Sequence, residues 1–323
     1  MQPSSMIRAE DLHKAFYSRR LRGRIEAIAG ISLTVSRGET YGLIGPDGAG
    51  KSTMMRLLCG LYLPDRGRAE VAGFDTVRHH RQIHRLSGYM AQRFALYGSL
   101  TVAENLAFFG RAHGLSRAEC GERIPRLLRF AGLERFPDRL AARLSGGMKK
   151  KLALATMLIH EPQVVFLDEP TLGVDPISRR EFWELLSALR SGRGLTIFVC
   201  TPYMDEAERC HTVGLIYEGR LIAQDAPRAI RASLPGEMLE LRPRDLAARD
   251  AVAGLEGVLE VQTYGRLLRV FVDSAERRAG ELVRAIQERG ITVEGVRQVE
   301  PGMEEAFISL IRRQRAHQEQ ELV

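Results

Sequence analysis

TYGLIGPDGAGKST, residues 40–53, decides the reading of this chain. Its first six residues, TYGLIG, read as a buried strand. They run into G-x-x-x-x-G-K-[ST], from Gly45 to Ser52, and a helix is expected from about Lys51 to Cys59. A strand, a glycine-rich turn and a helix in that order form the setting in which this motif binds phosphate. Glycines let successive backbone amides turn inward without a Cβ clash, and the helix start adds its positive end. The amides from Gly45 through Asp47, Gly48, Ala49 and Gly50 are the expected anion cradle. Lys51 is expected to reach the β- and γ-phosphates, Ser52 to ligate Mg²⁺ through its hydroxyl, and Thr53 to touch the α-phosphate.

Two further stretches turn a phosphate loop into a candidate hydrolase. VVFLDEP, residues 164–170, reads as a strand ending in two carboxylates. Paired carboxylates beside phosphate are costly unless a cation is present, so the pair implies a metal. Asp168 is the expected metal-side carboxylate, and Glu169 is the candidate that polarises an attacking water. Between loop and strand lies LSGGMKKKLALATMLIH, residues 144–160. Ser145 suits an N-cap, and Gly146 and Gly147 bare the first amides of a helix with Leu152, Leu154, Ala155 and Leu158 at apolar positions. It is a second anion-binding helix start. The order is phosphate loop, then Ser-Gly-Gly, then apolar-Asp-Glu within twenty-five residues, and that order carries the argument.

The surrounding chain fits an α/β architecture. LTIFVC, residues 195–200, is another strand-length apolar run, and VGLIYEGRLIAQD, residues 213–225, reads as a hairpin turning at Glu218-Gly219. Buried strands separated by helices argue for a mainly parallel sheet. Residues 100–160 read as almost wholly helical, giving a helical subdomain over about 93–160. Near Ser233-Leu234-Pro235-Gly236 the pattern changes. Beyond it we read a strand at 237–242, a helix at 244–254, strands at 257–263 and 266–272, a helix at 275–289, a strand at 291–299 and a helix from Met303 to Arg313. The fold class expected is therefore a P-loop NTPase core with a mainly parallel sheet and a helical subdomain, over 1–235. A small α+β domain of ferredoxin-like βαββαβ order is expected over 236–323.

Composition narrows little else. At 323 residues, 45% hydrophobic and 27% charged, the chain reads as globular. No uninterrupted apolar run reaches the roughly 18 residues that cross a bilayer, and the N-terminus has no secretion-signal stretch. A cytosolic protein, or one held at a membrane only through a partner, is expected. The four cysteines, at 59, 120, 200 and 210, show no metal-ligand spacing and read as packing thiols. The net charge of +7 is modest for this length, and no nucleic-acid partner is expected from it. Lys149, Lys150 and Lys151 read as a solvated helix face. SRRLRGR, residues 18–24, reads as a solvated loop between edge strands, with lipid headgroups or a membrane partner as the alternative contact.

At these motifs the sequence resembles the ATP-binding subunits of ABC transporters, over about residues 6–230. It is most similar to the drug- and antibiotic-export type, whose ATPase is a separate chain beside an integral-membrane permease. LTVAENLAFFGRAHGL (100–115), PTLGVDP (170–176) and VEPGMEEAFISLI (299–311) strengthen the likeness. The resemblance implies ATP and Mg²⁺ as ligands, a permease and a second ATP-binding subunit as partners, and a site at the cytoplasmic face of the inner membrane. It also implies that Gln92 links metal and water to the permease contact, with residues 93–99 facing the permease's cytoplasmic helices. Phe16 matches the aromatic that stacks on adenine, with Tyr17 as alternate, and Asp175 the aspartate that crosses the dimer interface. In such a head-to-tail pair each ATP lies between one chain's phosphate loop and the other's Ser-Gly-Gly helix.

One departure bears on chemistry. In CTPYMDEAE, residues 200–208, Pro202 stands where the family has a histidine that contacts the γ-phosphate. Locally, Thr201 reads as a helix N-cap and Pro202 as the first helical residue. Losing one donor to a developing charge costs about 2.7–4 kcal/mol, so slow or asymmetric hydrolysis is expected. Glu169 acting alone, a partner ATPase with an intact histidine, or Thr201 standing in are the three readings of that site. Asp47, where the family commonly has Asn, adds negative charge near phosphate; Met148, where it often has Gln, matters little. The alternatives to a transport motor are a soluble regulatory ATPase of the same type and a nucleotide-binding assembly module with little hydrolysis.

Overall fold

The computed structural model describes residues 5–18, 23–92 and 96–321. They divide into two compact units, Met1–Asp225 and Ala226–Val323. The division falls ahead of the turn at Ser233–Gly236, because the short helix Pro227–Ala232 packs against the C-terminal helix.

The first unit opens with long antiparallel strands β1 (Ser5–Ser18) and β2 (Gly23–Ser36). There follow β3 (Thr40–Ile44), α1 (Lys51–Leu58), β4 (Arg66–Val71), β5 (Phe74–Asp75), α2 (His80–Leu86) and β6 (Ser87–Met90). Three helices come next, α3 (Val102–Ala112), α4 (Arg117–Phe130) and α5 (Gly146–Leu158). The unit closes with β7 (Val164–Asp168), α6 (Pro176–Arg193), β8 (Thr196–Thr201), β9 (Thr212–Tyr217) and β10 (Arg220–Asp225).

Its main sheet runs β10-β9-β3-β8-β7-β6, parallel except for the β9–β10 hairpin. Every residue of β3, β7 and β8 is buried, as strands covered on both faces must be. A second, antiparallel sheet, β2-β1-β4-β5, lies apart from it in the pairing. Ile7, Leu12, Ile28 and Leu33 of that sheet share one core with Met54 and Leu58 of α1 and with Leu43, Phe166 and Phe198 of the parallel sheet. α1, and with it the phosphate loop, is thereby packed into the core. α3 and α4 each start with a complete capping box, Thr101 with Glu104 and Ser116 with Glu119, which fixes where the helical segment begins. No described helix is long and apolar enough to cross a membrane. All four cysteines are buried and unpaired.

The second unit contains α7 (Pro227–Ala232), β11 (Glu237–Pro243), α8 (Ala248–Val252), β12 (Val258–Tyr264), β13 (Leu267–Val272), α9 (Ala275–Glu288), β14 (Val293–Val299) and α10 (Met303–Glu321). Its antiparallel sheet has the order β12-β13-β11-β14, the ferredoxin-like arrangement. α8 is shorter than the helix read at 244–254, and α10 runs past Arg313. Leu239, Leu241, Val270 and Val272 face α8 and α9 in one apolar cluster. By strand alternation Glu240 and Arg269 face the other way, toward α10. There Glu240 and Glu305, 3% and 2% exposed, both engage Arg269, and Arg297 adds a second bond to Glu240 at 2.7 Å.

Two local readings are corrected. Thr201 does not cap a helix at Pro202. It ends β8, and its hydroxyl oxygen accepts the Tyr203 amide at 3.1 Å. A 3₁₀ turn starts only at Met204. The three lysines are not a solvated face either: Lys150 is 2% exposed, and Lys151 pairs with Glu181 at 2.6 Å. Residues 19–22 of the basic run and 93–95 of the segment after Gln92 lie outside the described residues.

Candidate nucleotide-binding site

The loop after β3 has the close backbone approaches its glycines allow. A Cβ on Gly45 would stand 2.1 Å from the Ile216 carbonyl oxygen, and one on Gly50 2.3 Å from that of Ala27. Gly50 also holds φ +108, which L side chains rarely adopt. The Gly45 amide donates to the Thr201 carbonyl at 3.4 Å, so the end of β8 abuts the loop. Pro202 therefore follows at the loop's rim. Lys51 is 4% exposed and donates to the carbonyls of Gly45 and Pro46 at 2.8 and 2.9 Å. Asp47 is fully at the surface, with its carboxylate 3.9 Å from the Lys51 ammonium. Ala49 is buried and Thr53 half-buried.

Strand ends bring three more side chains to this loop, where they meet Ser52 at the start of α1. Ser52 donates its hydroxyl to Asp168 at 2.9 Å, and Gln92, two residues past β6, donates its amide to Glu169 at 2.8 Å. Burial pushes the Asp168 carboxyl up, against the pull of the Ser52 hydrogen bond and the Arg56 and Lys51 charges. Burial likewise raises Glu169, opposed first by Lys51 and then by Gln92. Ser52 and Asp168 together present a hydroxyl and a carboxylate oxygen, and Gln92 an amide oxygen. These are hard donors of the kind Mg²⁺ takes alongside water and phosphate oxygens.

If Glu169 serves as the base expected from the sequence, its raised carboxyl has a kinetic consequence. A base must be ionised to act, and kcat/KM follows the ionisation of the free enzyme. The acid limb of kcat/KM for nucleotide hydrolysis is expected above pH 4.5, the ordinary glutamate value, with activity falling as pH drops through the limb. A pH profile with a limb at or below 4.5 would count against Glu169 as the base.

A second group of candidate residues gathers at the starts of α5 and α6. Ser145 caps α5, its oxygen accepting the Met148 amide at 3.2 Å. Gly147 packs so closely on α6 that a Cβ would meet the Ser178 hydroxyl at 2.5 Å, while Gly146 is exposed. Asp175 is the N-cap of α6, accepting from Ser178 at 3.0 Å, with Pro176 at the first helical position. Phe16 lies on β1, 38% exposed, edge-on to Tyr62, while Tyr17 is 72% exposed.

Sequence reasoning missed Lys150, whose ammonium donates to the Glu169 carbonyl at 3.3 Å. The signal was present: Gly147, Lys150, Leu154 and Leu158 follow the helical period, and all are buried.

Beside Gln92 lies a cavity of about 280 Å³, lined by Tyr89, Met90, Leu96, Phe109, Met157 and His160 among others. His113 and His160 stack face to face at its wall, ring centroids 3.7 Å apart. His160 bonds the Ser87 carbonyl through Nε2 at 3.0 Å, which makes Nε2 the protonated nitrogen, and buried Nδ1 has no partner. Burial first, then the neighbouring ring, lowers His160 to about 4. The unfolded chain thus takes up this proton before the folded one. Stability is full above the ordinary histidine value of 6.5 and falls as pH drops toward 4. The loss is about 2 kcal/mol after discounting for the part of the ring that meets water. Urea unfolding across that range is expected to show the loss, and His160→Gln to remove the part of it that His160 contributes, with His113, also lowered by burial, retaining its own.

The ABC transporter family matches residues 28–172. The chain is 39% identical over 296 residues to the probable multidrug ABC transporter ATP-binding protein YbhF of Escherichia coli K12, covering 88% of this chain and 49% of that protein. It thus spans about half the length of that relative. It is 40% identical over 277 residues to the Nod factor export ATP-binding protein I of Paraburkholderia xenovorans, covering 85% of this chain and 88% of that one. Among solved structures it resembles a dimeric ATP-binding cassette, MJ0796, in a post-hydrolysis state bound to ADP and Pi. The TM-score is 0.61 and the identity 26%, covering 68% of this chain and 98% of that one.

Proposed function

The chain belongs to the ABC transporter family, as an ATP-binding subunit, and from that premise we propose that it is the ATP-hydrolysing motor of an exporter, driving a separate membrane permease. One observation carries the hydrolytic reading. Lys51, Ser52, Asp168, Gln92 and Glu169 meet at one end of the parallel sheet, joined by the Ser52–Asp168 and Gln92–Glu169 hydrogen bonds.

The division of labour follows from these contacts. Loop amides and Lys51 hold the phosphates of ATP; the lysine exchanges its bonds to two loop carbonyls for phosphate oxygens. Ser52, Asp168 and the Gln92 oxygen would hold Mg²⁺, which would neutralise phosphate charge when bound. Glu169 accepts a proton from the attacking water and is kept aimed by Gln92. Phe16 stacks on the adenine. Ser145, Gly146, Gly147 and Asp175 serve the second copy, whose phosphate loop faces them in a head-to-tail pair. The dimeric state of MJ0796 supports pairing in this family. Two amide clusters on separate copies then converge on one triphosphate, so ATP closes the pair and hydrolysis releases it.

The apolar cavity beside Gln92 suits a cytoplasmic helix of the permease, since Ala91 and Leu96, on either side of the undescribed residues 93–95, both line it. The protein then sits at the cytoplasmic face of the inner membrane, carried by that partner. Names of relatives point to multidrug or Nod factor export, and cargo choice belongs to the permease. Purification from detergent-solubilised membranes tests the reading. A membrane protein that co-purifies, and that changes the ATPase rate when reconstituted, is expected. No associated membrane protein and an indifferent rate would refute the transport role.

A further inference from the structure

Glu169 occupies a strained backbone position. Its φ is +49, a left-handed conformation that a residue with a side chain rarely adopts and that persists only when its surroundings enforce it. Three contacts do so. The Glu169 amide donates to Cys200 at 2.8 Å; its carbonyl accepts from the Leu172 amide at 3.2 Å; and the same carbonyl accepts from Lys150. The first two are main-chain contacts to β8 and to the turn after β7. The third comes from α5, the helix whose exposed start carries Ser145 and Gly146.

A cation is costly in this place. Lys150 is 2% exposed, and burial disfavours its charge while the Glu169 carboxylate supports it. An apolar side chain would cover the same face without a desolvation penalty. α5 is also held tightly: Gly147 leaves no room for a Cβ against α6. A shift of the α5 start is therefore passed to Lys150 rather than absorbed locally.

We propose that Lys150 is a positioning residue: its buried ammonium holds the Glu169 main chain so that the carboxylate faces the attacking water, and it thereby links the seating of α5 to hydrolysis at the same chain's phosphate loop. In the paired state the α5 start meets the other copy's ATP, so each chain senses one nucleotide and sets the base for another. This inference rests on Glu169 acting as the water-polarising base.

The test compares Lys150→Met, which keeps the apolar stem, with Lys150→Gln, which keeps an N–H donor. Both are made in the full chain, with Glu169→Gln and the double variant Glu169→Gln/Lys150→Met alongside. Lys150→Met is expected to lower kcat for ATP about tenfold, with KM within about twofold, and Lys150→Gln to recover part of the loss. Glu169→Gln with and without Lys150→Met is expected to pair equally on adding ATP and Mg²⁺. An unchanged kcat in Lys150→Met overturns the proposal. So does a kcat loss accompanied by a lowered unfolding midpoint and a raised KM, because Lys150 is then a packing residue only. Loss of ATP-driven pairing in the double variant also overturns it, since the lysine then serves the α5 start directly. Hydrolysis that survives Glu169→Gln sinks the reading of Glu169 as base, and this inference with it. Hydrolysis lost in Glu169→Gln but intact in Lys150→Met sinks the inference alone.

Discussion

Glu169→Gln is expected to reduce ATP hydrolysis at least about a hundredfold while leaving ATP binding intact. The amide is isosteric with the carboxylate, so the Gln92 contact can be kept with its amide turned. The strained main chain is unaffected, because its three contacts do not involve the side chain. What is lost is the acceptor for the water's proton. Removing this buried carboxylate also removes negative charge near the phosphates, so the ATP-bound pair is expected to persist. Gel filtration with ATP and Mg²⁺ should show the variant as a dimer and the wild type reverting to monomer as nucleotide is consumed. A variant that hydrolyses ATP normally, or that stays monomeric when saturated, would defeat the assignment of base or of pairing respectively.

Pro202→His is expected to raise kcat by about tenfold or more, toward the hundred- to thousandfold that one positioned donor is worth. Proline offers neither an amide nor a side-chain donor. Position 202 follows Thr201, whose carbonyl binds the Gly45 amide, so an imidazole there can reach the loop's rim. Thr201 is a weak substitute because it is fully buried. The exchange is locally mild, because the 3₁₀ turn begins two residues later and does not depend on a proline start. Single-turnover ATPase measurements compare the two proteins. An equal or lower rate, with unfolding unchanged, would show that Pro202 is not what limits this site.

Much of the catalytic end was readable because each contributing strand is short, buried and followed by its functional residue. TYGLI, VVFLD and TIFVCT are continuous apolar runs whose ends carry the loop, the carboxylates and position 202. The antiparallel sheet was harder to read. Ile31, Leu33 and Val35 alternate cleanly in β2, but in β1 buried Ile7 and Ala9 are followed by Leu12. A register shift between Ala9 and Leu12, with Asp11 at φ +47, reverses the alternation midway and hides the strand. Lys150 escaped for a different reason. A run of three lysines reads as solvent-facing by composition, whereas the helical period through Gly147 and Leu154 turns the middle one inward. The turn at Pro202 went astray because capping chemistry was read from residue types. The Thr201 oxygen does accept an amide, but two residues ahead in a tight turn rather than at a helix start.

The charged seam beneath α10 has a mechanical outcome. Apolar contacts alone tolerate a helix sliding by a turn with modest loss, since one methyl resembles the next. Arg269 does not: moving α10 by four residues would replace Glu305 with Ser309 and leave the guanidinium with one carboxylate, Glu240, in place of two. The C-terminal helix consequently has a single permitted height on its sheet, and the small unit presents the same outer surface each time it refolds.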